Sequence, residues 1–298
     1  MRTTKRFSET VLKRFRSQKR GTGVFEHFTS WHQVTRGDPA SRGRSHIVTL
    51  EARQVDLLSD SERIPWLMAS MHPELSDVRS QFPHSLLAAP HELSAYDVSY
   101  LGKSYPGTLE LAKALGIKHA SLGPKGEQTP WVDSTDVLTT LKRSNGALRL
   151  LAISSKPDLV SLTKRKRQLL ALQRQYWIAR DGIWLLITPD QYDSRVADTL
   201  VRSYAWGLGE RVSPELIKTA VKITFARQGQ AYRTILGELS RECTCEESAK
   251  CAFWQGVWSS QIPLDLRISW RPSAPVWLLP LTAFHDLNPV ISGRSAWI

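Results

Sequence analysis

Three residues of this 298-residue chain, Glu62, Asp136 and Lys156, have the types and the order that phosphodiester chemistry requires. Two carboxylates can hold a divalent cation that polarises a scissile phosphate, while a lysine positions or helps deprotonate the attacking water and offsets developing negative charge. Spacing alone leaves a second reading open. Asp and Lys are frequent at hairpin ends as solvated strand termini, and an acid in the first turn of a helix is favoured by the helix macrodipole whatever else it does.

The elements that must position these residues follow from hydrophobic periodicity. Residues 59–71 predict a helix, with Ser59 or Asp60 as cap, Glu62 in the first turn and Ile64, Leu67, Met68 and Met71 at helical spacing. Pro65 is tolerable there only near the helix start. The β-branched run 135–141, the turn signal Arg143-Ser144-Asn145-Gly146 and the apolar run 148–153 predict a hairpin. A loop of about two to four residues centred on Asn145 places Asp136 opposite Ser154 or Ser155, with Lys156 about one residue further along. A helix over 159–179 carries Leu162, Leu169, Leu172, Tyr176 and Ala179 on one stripe, with Lys164, Arg165, Lys166, Arg167 and Arg174 around it. Residues 184–188 read as a buried strand, 46–50 as the first strand, and 109–115 as a short helix stopped by Gly116. Helix and strand in this order describe an α/β core with one mixed sheet.

Beyond about residue 190 the pattern becomes helical, over 193–206, 214–225, 232–243 and 246–258. Short apolar pieces punctuated by Pro263, Pro272, Pro275, Pro280 and Pro289 follow. This predicts a separate, mainly helical domain, winged-helix-like by analogy.

Charge narrows the partner. Forty Lys and Arg against 28 Asp and Glu leave the chain at +12, a balance suited to a polyanion, with nucleic acid first. With 41% hydrophobic and 23% charged residues the chain is neither low-complexity nor disordered. No run of roughly 18 apolar residues exists, which argues against a membrane span. Cys243, Cys245 and Cys251 are an odd number, better suited to a reducing cytoplasm than to a disulfide framework. They read either as three zinc ligands needing a fourth, such as His285, or as ordinary helical Cys. Trp254, Trp258, Trp270 and Trp277 read as stacking platforms or as core. The first 20 residues carry Arg2, Lys5, Arg6, Lys13, Arg14, Arg16, Lys19 and Arg20 against Glu9 alone, with little apolar periodicity. The segment reads as an arm along phosphates or as a solvated tail. Residues 33–45 read as an exposed loop, so that regular folding starts at 46.

Several motifs then share one order. They are Leu57-Leu58-Ser59-Asp60-Ser61-Glu62, then Asp77-Val78-Arg79-Ser80-Gln81-Phe82-Pro83, Gly116-Ile117-Lys118-His119, Thr135-Asp136-Val137-Leu138 and Ala152-Ile153-Ser154-Ser155-Lys156-Pro157. A basic helix ending Arg174-Gln175-Tyr176-Trp177 follows, with Trp184 and Ile187-Thr188 after it. Over residues 46–190 this series resembles the TnsA family, the endonuclease subunits of the heteromeric transposases of Tns-type bacterial transposons; beyond 190 the resemblance rests on length and helical pattern. It implies a basic arm and loop (1–45), a restriction-endonuclease-like nuclease domain (46–190) and a helical partner- and DNA-binding domain (191–298). It implies Glu62 and Asp136 as metal ligands, the carbonyl of Ser155 as a third, Lys156 as the catalytic lysine, and magnesium as the ion, with manganese as a substitute. Arg79, Gln81, Lys164, Arg165, Lys166 and Arg167 are the expected DNA contacts. The implied reaction is cleavage at the 5′ ends of the element in the bacterial cytoplasm, with a TnsB-like DDE recombinase acting on the 3′ ends and a TnsC-like ATPase as regulator. Two departures stand out: Ser154 where Glu or Gln is common, and Ser80 where Glu is usual. The alternatives are a non-catalytic DNA-binding assembly subunit and a free-standing restriction or repair nuclease.

Overall fold

The computed structural model describes residues 7–35, 38, 44–50, 52–123, 128–243, 245–268 and 270–297. In chain order its elements are α1 (Glu9–Ser17), β1 (His46–Leu50), β2 (Arg53–Leu57), α2 (Asp60–Ser70), β3 (Leu75–Pro83), β4 (Ala89–Pro90), β5 (Ser104–Tyr105), α3 (Thr108–Ala114), β6 (Ser121–Leu122), β7 (Thr129–Pro130), β8 (Ser134–Lys142), β9 (Leu148–Ser155), α4 (Lys164–Ile178), β10 (Ile183–Ile187), α5 (Ser194–Gly207), α6 (Pro214–Ala226), α7 (Tyr232–Leu239), α8 (Glu246–Trp258) and α9 (Leu281–Asp286). They divide into two units. One is drawn from Met1–Arg63, Glu74–Ile187 and Ala296–Ile298, the other from Ile64–Pro73 and Thr188–Ser295.

The first unit is organised by one mixed sheet in the order β10-β9-β8-β3. Asn145 and Gly146 close the β8–β9 hairpin: the Asn145 side chain accepts from the Ala147 amide at 3.0 Å, and Gly146 takes a φ of 83° that a side chain would resist. Val137 then faces Ile153, and Lys142 faces Leu148. β3 runs antiparallel to β8, while β10 returns parallel to β9 through α4, a crossover long enough to need a helix. The sheet packs Leu138, Leu150, Ala152 and Leu186 against Leu170, Tyr176 and Trp177 of α4. α4 starts at Lys164, capped by the hydroxyl of Thr163, rather than at 159. Its buried stripe is Leu170, Gln173 and Trp177, flanked by Leu172 and Tyr176, because the helix is rotated so that Leu169 lies only half-buried.

The amino-terminal expectation is corrected. Regular structure does not wait for residue 46: Ser8 caps α1, and Leu12 and Phe15 bury fully with Trp31 and Val132. Two apolar residues at i, i+3 were too short a stripe to outweigh the surrounding charge in the sequence, and their partners lie far along the chain. Arg20 belongs to this packing too. Its guanidinium lies 4.1 Å from the Phe15 ring centroid and 2.6 Å from the Asp38 carboxylate. Arg2, Lys5 and Arg6 of the same charge run, and residues 36, 37 and 39–43 of the loop, lie outside the described residues.

In the second unit α8 is the central helix, with Phe253, Trp254, Val257 and Trp258 all buried. Gly207 is required there, because a Cβ on it would stand 2.3 Å from the Trp258 ring. Trp254 and Trp258 are therefore core, whereas Trp277 is 46% exposed. α7 stops at Leu239, short of the predicted 243. Two isolated antiparallel bridges, Ala231–Pro275 and Leu264–Leu278, hold the Pro-rich tail. An open groove of about 500 Å³ is lined by Trp206, Tyr232, Arg233, Leu236, Lys250 and Trp270. Among the described residues no helix is long and apolar enough to cross a membrane.

Candidate active site

The register of three neighbouring strands builds the site. Ser80 faces Val137 and Phe82 faces Thr135, which sets Gln81 beside Asp136 across the β3–β8 ladder. On the other side, the Ser155 amide donates to Oδ2 of Asp136 at 2.7 Å. Ile187 pairs with Ser155, and its carbonyl also accepts the Lys156 amide at 3.1 Å, so β10 holds the chain straight for one residue past β9. Lys156 Nζ donates to the Ser155 carbonyl at 2.7 Å and lies 3.8 Å from Oδ2 of Asp136.

Glu62 enters from the first turn of α2. Its Oε2 accepts from the Leu58 amide at 2.8 Å and from Gln81 Nε2 at 2.9 Å, and its Oε1 accepts from the Ser59 hydroxyl at 3.2 Å. The Ser59-x-x-Glu62 spacing of a capping box thus serves to aim a carboxylate. The residue is 8% exposed, and burial first, then the charge of Asp136, push its carboxyl up to about 8, against the pull of its three hydrogen bonds. A buried carboxylate raised by a neighbouring carboxylate is the electrostatic state that a hard divalent cation relieves.

The residues present fit such an ion: two carboxylates and the backbone carbonyl of Ser155 are all oxygen donors. Among the described residues no group of three or more His, Cys, Asp or Glu could hold a metal, so these side-chain types supply two ligands here, Glu62 and Asp136. The same finding leaves the three Cys without a zinc cluster; they form no disulfide, and His285 sits against the Ser260 hydroxyl at 3.2 Å.

Gln81 is the least ordinary residue of the site. It is 2% exposed and holds φ at 51° within a strand, a left-handed conformation that costs a non-glycine residue about 1–2 kcal/mol. Both ends of its amide are committed, Nε2 to Glu62 and Oε1 to the Ser134 hydroxyl at 3.0 Å, and its carbonyl accepts the Trp31 amide at 3.1 Å. The expectation that Arg79 and Gln81 touch DNA is therefore corrected. Gln81 is spent inside the site, and Arg79 is 1% exposed, with its guanidinium 4.5 Å from the Phe82 ring and 5.2 Å from the Tyr96 ring. Neither side chain reaches the surface. Ser80, the second departure from the family pattern, pairs its hydroxyl with that of Ser30 at 2.9 Å.

The Ser154 hydroxyl is committed to neighbouring side chains. It donates to Gln173 Oε1 at 2.7 Å and accepts from Trp184 Nε1 at 3.1 Å, while Gln173 Nε2 donates to Asp133 Oδ2 at 2.7 Å. Burial raises the Asp133 carboxyl, with Gln173 and Lys156 acting against it and Asp136 reinforcing it. Sequence reasoning missed Asp133 and Gln173. The available signal was Gln173 itself, a polar residue one turn from Trp177 and Leu170 on the apolar stripe of α4.

Lys164, Lys166 and Arg167 are exposed and Arg165 is half-buried, all in the first turn of α4, where no acid accompanies them. Arg167 donates to the carbonyls of Leu159 and Leu162, bracing the loop that follows Lys156. Four cations at a helix amino terminus run against the macrodipole, a cost that an anionic ligand would offset. His119 bonds the Ala120 carbonyl and the Thr108 hydroxyl and has a structural position.

No family model matches the sequence. The chain is similar to the Transposon Tn7 transposition protein TnsA of Escherichia coli, 29% identical over 213 residues that make up 71% of this chain and 68% of that protein. This similarity and the mixed α/β sheet support reading the chain as TnsA-like, with a fold consistent with the restriction-endonuclease-like kind.

Proposed function

We propose that the protein is the DNA endonuclease subunit of a transposase, cutting the 5′ ends of its element in a magnesium-dependent reaction while a TnsB-like DDE recombinase acts on the 3′ ends under a TnsC-like ATPase. One observation carries the proposal: Glu62, Asp136 and Lys156, separated by 94 residues of sequence from first to last, meet at one end of the sheet with the two carboxylates electrostatically opposed and the ammonium on Asp136. The similarity to TnsA supports it independently.

Glu62, Asp136 and the Ser155 carbonyl would hold the metal. When bound, magnesium would supply Lewis acidity toward the scissile phosphate and lower the proton affinity of a coordinated water. The chain's own residues do the rest. The Ser155 amide and Gln81 hold the two carboxylates in place before substrate arrives, so no orientation is left to be found during the reaction. Lys156 presents an ammonium beside Asp136, where it orients the attacking water and offsets negative charge on the phosphorane-like transition state. The basic first turn of α4, eight residues beyond Lys156, attracts the phosphate backbone. The second unit is assigned to partner and DNA docking, with its Trp206- and Trp270-lined groove as the place for a partner segment.

A second reading, a non-catalytic assembly subunit, is favoured only by Ser154, whose hydroxyl is committed to Gln173 and Trp184 and adds no ligand. Excision in cells carrying the whole element separates the two. With Asp136→Ala, 5′ strands left uncut while 3′ joining continues, so that cointegrates accumulate, would support the nuclease. Unchanged strand breaks would leave the assembly reading.

A further inference from the structure

Eight basic residues open the chain, and the structure sorts those it describes into two kinds. Arg20 is buried, ion-paired to Asp38 and stacked on Phe15, so it serves the fold. Lys13, Arg14, Arg16 and Lys19 are exposed, on or just beyond a helix whose opposite face is locked down by Leu12 and Phe15. The one acid of the helix, Glu9, is spent on Lys13 at 2.8 Å. A charged tail would be free to solvate itself; this charge is displayed on a docked, capped helix.

Its position is set by a short chain of contacts. Leu12 and Phe15 pack on Trp31 and Val132. The Trp31 amide donates to the Gln81 carbonyl at 3.1 Å, and Gln81 donates to Glu62. Val132 leads directly into Asp133, Ser134 and Asp136. The helix therefore flanks the Glu62–Asp136 end of the sheet.

We propose that the exposed face of α1, with Lys13, Arg14, Arg16 and Lys19, is a phosphate-backbone contact that seats duplex DNA beside the Glu62–Asp136 site, replacing Arg79 and Gln81 as the contact on this side. This rests on the endonuclease reading for what happens to the DNA, but not for its being bound. Guanidinium forks suit phosphate oxygens, and the contact reads no sequence, so it acts on transposon-end and unrelated DNA alike.

The test is equilibrium binding of the full-length protein, followed by anisotropy in calcium over a series of salt concentrations, to two fluorescein-labelled duplexes: one carrying the transposon end and one of unrelated sequence. The variants are Arg16→Gln with Lys19→Asn, the asparagine chosen because Lys19 sits at a φ of 52°, and separately Lys13→Gln with Arg14→Gln. Lys142→Gln with Arg143→Gln removes the same charge from the hairpin turn, the opposite end of β8 from Asp136, and controls for net charge. Each α1 pair is expected to reduce the slope of log affinity against log salt by about 1 to 2 on both duplexes, the value for one or two lost phosphate contacts. The hairpin pair is expected to keep the wild-type slope. An unchanged slope in both α1 pairs, an equal loss in the hairpin pair, or no wild-type binding to either duplex would overturn the proposal. Loss of cleavage in Asp136→Ala is read separately, by strand mapping, so failure of the DNA seat and failure of the nuclease reading give different results.

Discussion

Gln81 donates through Nε2 to Oε2 of Glu62 at 2.9 Å from a backbone held at a φ of 51°. The strand gives up regular geometry at that residue, and what it obtains is an amide whose other end is fixed by Ser134, aimed at the one site carboxylate contributed by a helix. Strain of this kind persists only where the surroundings over-determine it.

Gln81→Asn tests the consequence. Asparagine tolerates the left-handed conformation but is one methylene too short to reach both Glu62 and Ser134. The variant is expected to melt close to wild type while losing about 10- to 100-fold in divalent-ion affinity or strand cleavage, the usual cost of removing a partner that orients a ligand. Calorimetric titration with manganese beside a cleavage assay reads both; wild-type ion affinity would remove Gln81 from the positioning role.

Lys156→Met keeps the length of the side chain and removes its charge. If the ammonium stabilises charge in the transition state, cleavage should fall about 10²- to 10³-fold with DNA binding nearly unchanged. A matching loss of affinity would instead make Lys156 a binding residue.

Stability without metal should bend with pH on both sides. Glu62 holds its proton up to about 8 in the folded chain against 4.5 as its ordinary value, so the stability it contributes is complete below about 4.5 and is lost as pH rises through 8. His84 and His32 are pushed down by burial to about 3 and about 4, so their contribution is present above the ordinary value of 6.5 and is lost as pH falls below it. Each such group changes stability by about 1.4 kcal/mol per pH unit while it titrates in one state only. Melting in chelator should show Glu62→Gln flattening the alkaline limb and sparing the acid one, with manganese restoring the wild-type protein at high pH.

Leu12→Ala distinguishes a folded helix from a tail. Leu12 is fully buried, and the change should cost about 2–5 kcal/mol by urea unfolding. A cost near zero would mean that α1 is not docked in solution.

Ser154→Ala leaves Gln173 Oε1 without its donor and Trp184 Nε1 without its acceptor, both at a buried position. The expected cost is about 1–3 kcal/mol of stability. Cleavage by the folded protein should persist, since the Ser154 hydroxyl faces Gln173 and Trp184.

The hairpin over β8 and β9, the helix carrying Glu62 and the order of the helices beyond residue 190 were legible in the sequence because each depends on local pattern: a β-branched run around Asn145-Gly146, a capping Ser59 three residues before an acid, and apolar residues at helical spacing. Asp136 and Lys156 could be placed near one another by counting along that hairpin. Tertiary structure decided what counting cannot reach. Arg79 lies on the same strand as Gln81 and looks equally able to meet DNA, yet Phe82 and Tyr96 enclose it. Gln173 becomes part of the site only because α4 rotates it toward Ser154. α1 is a docked helix rather than a tail because Trp31 and Val132, the latter more than 100 residues away, supply the surface that Leu12 and Phe15 need. Local pattern sets which elements form; burial between distant segments sets which polar residues face the chemistry and which are enclosed by the core.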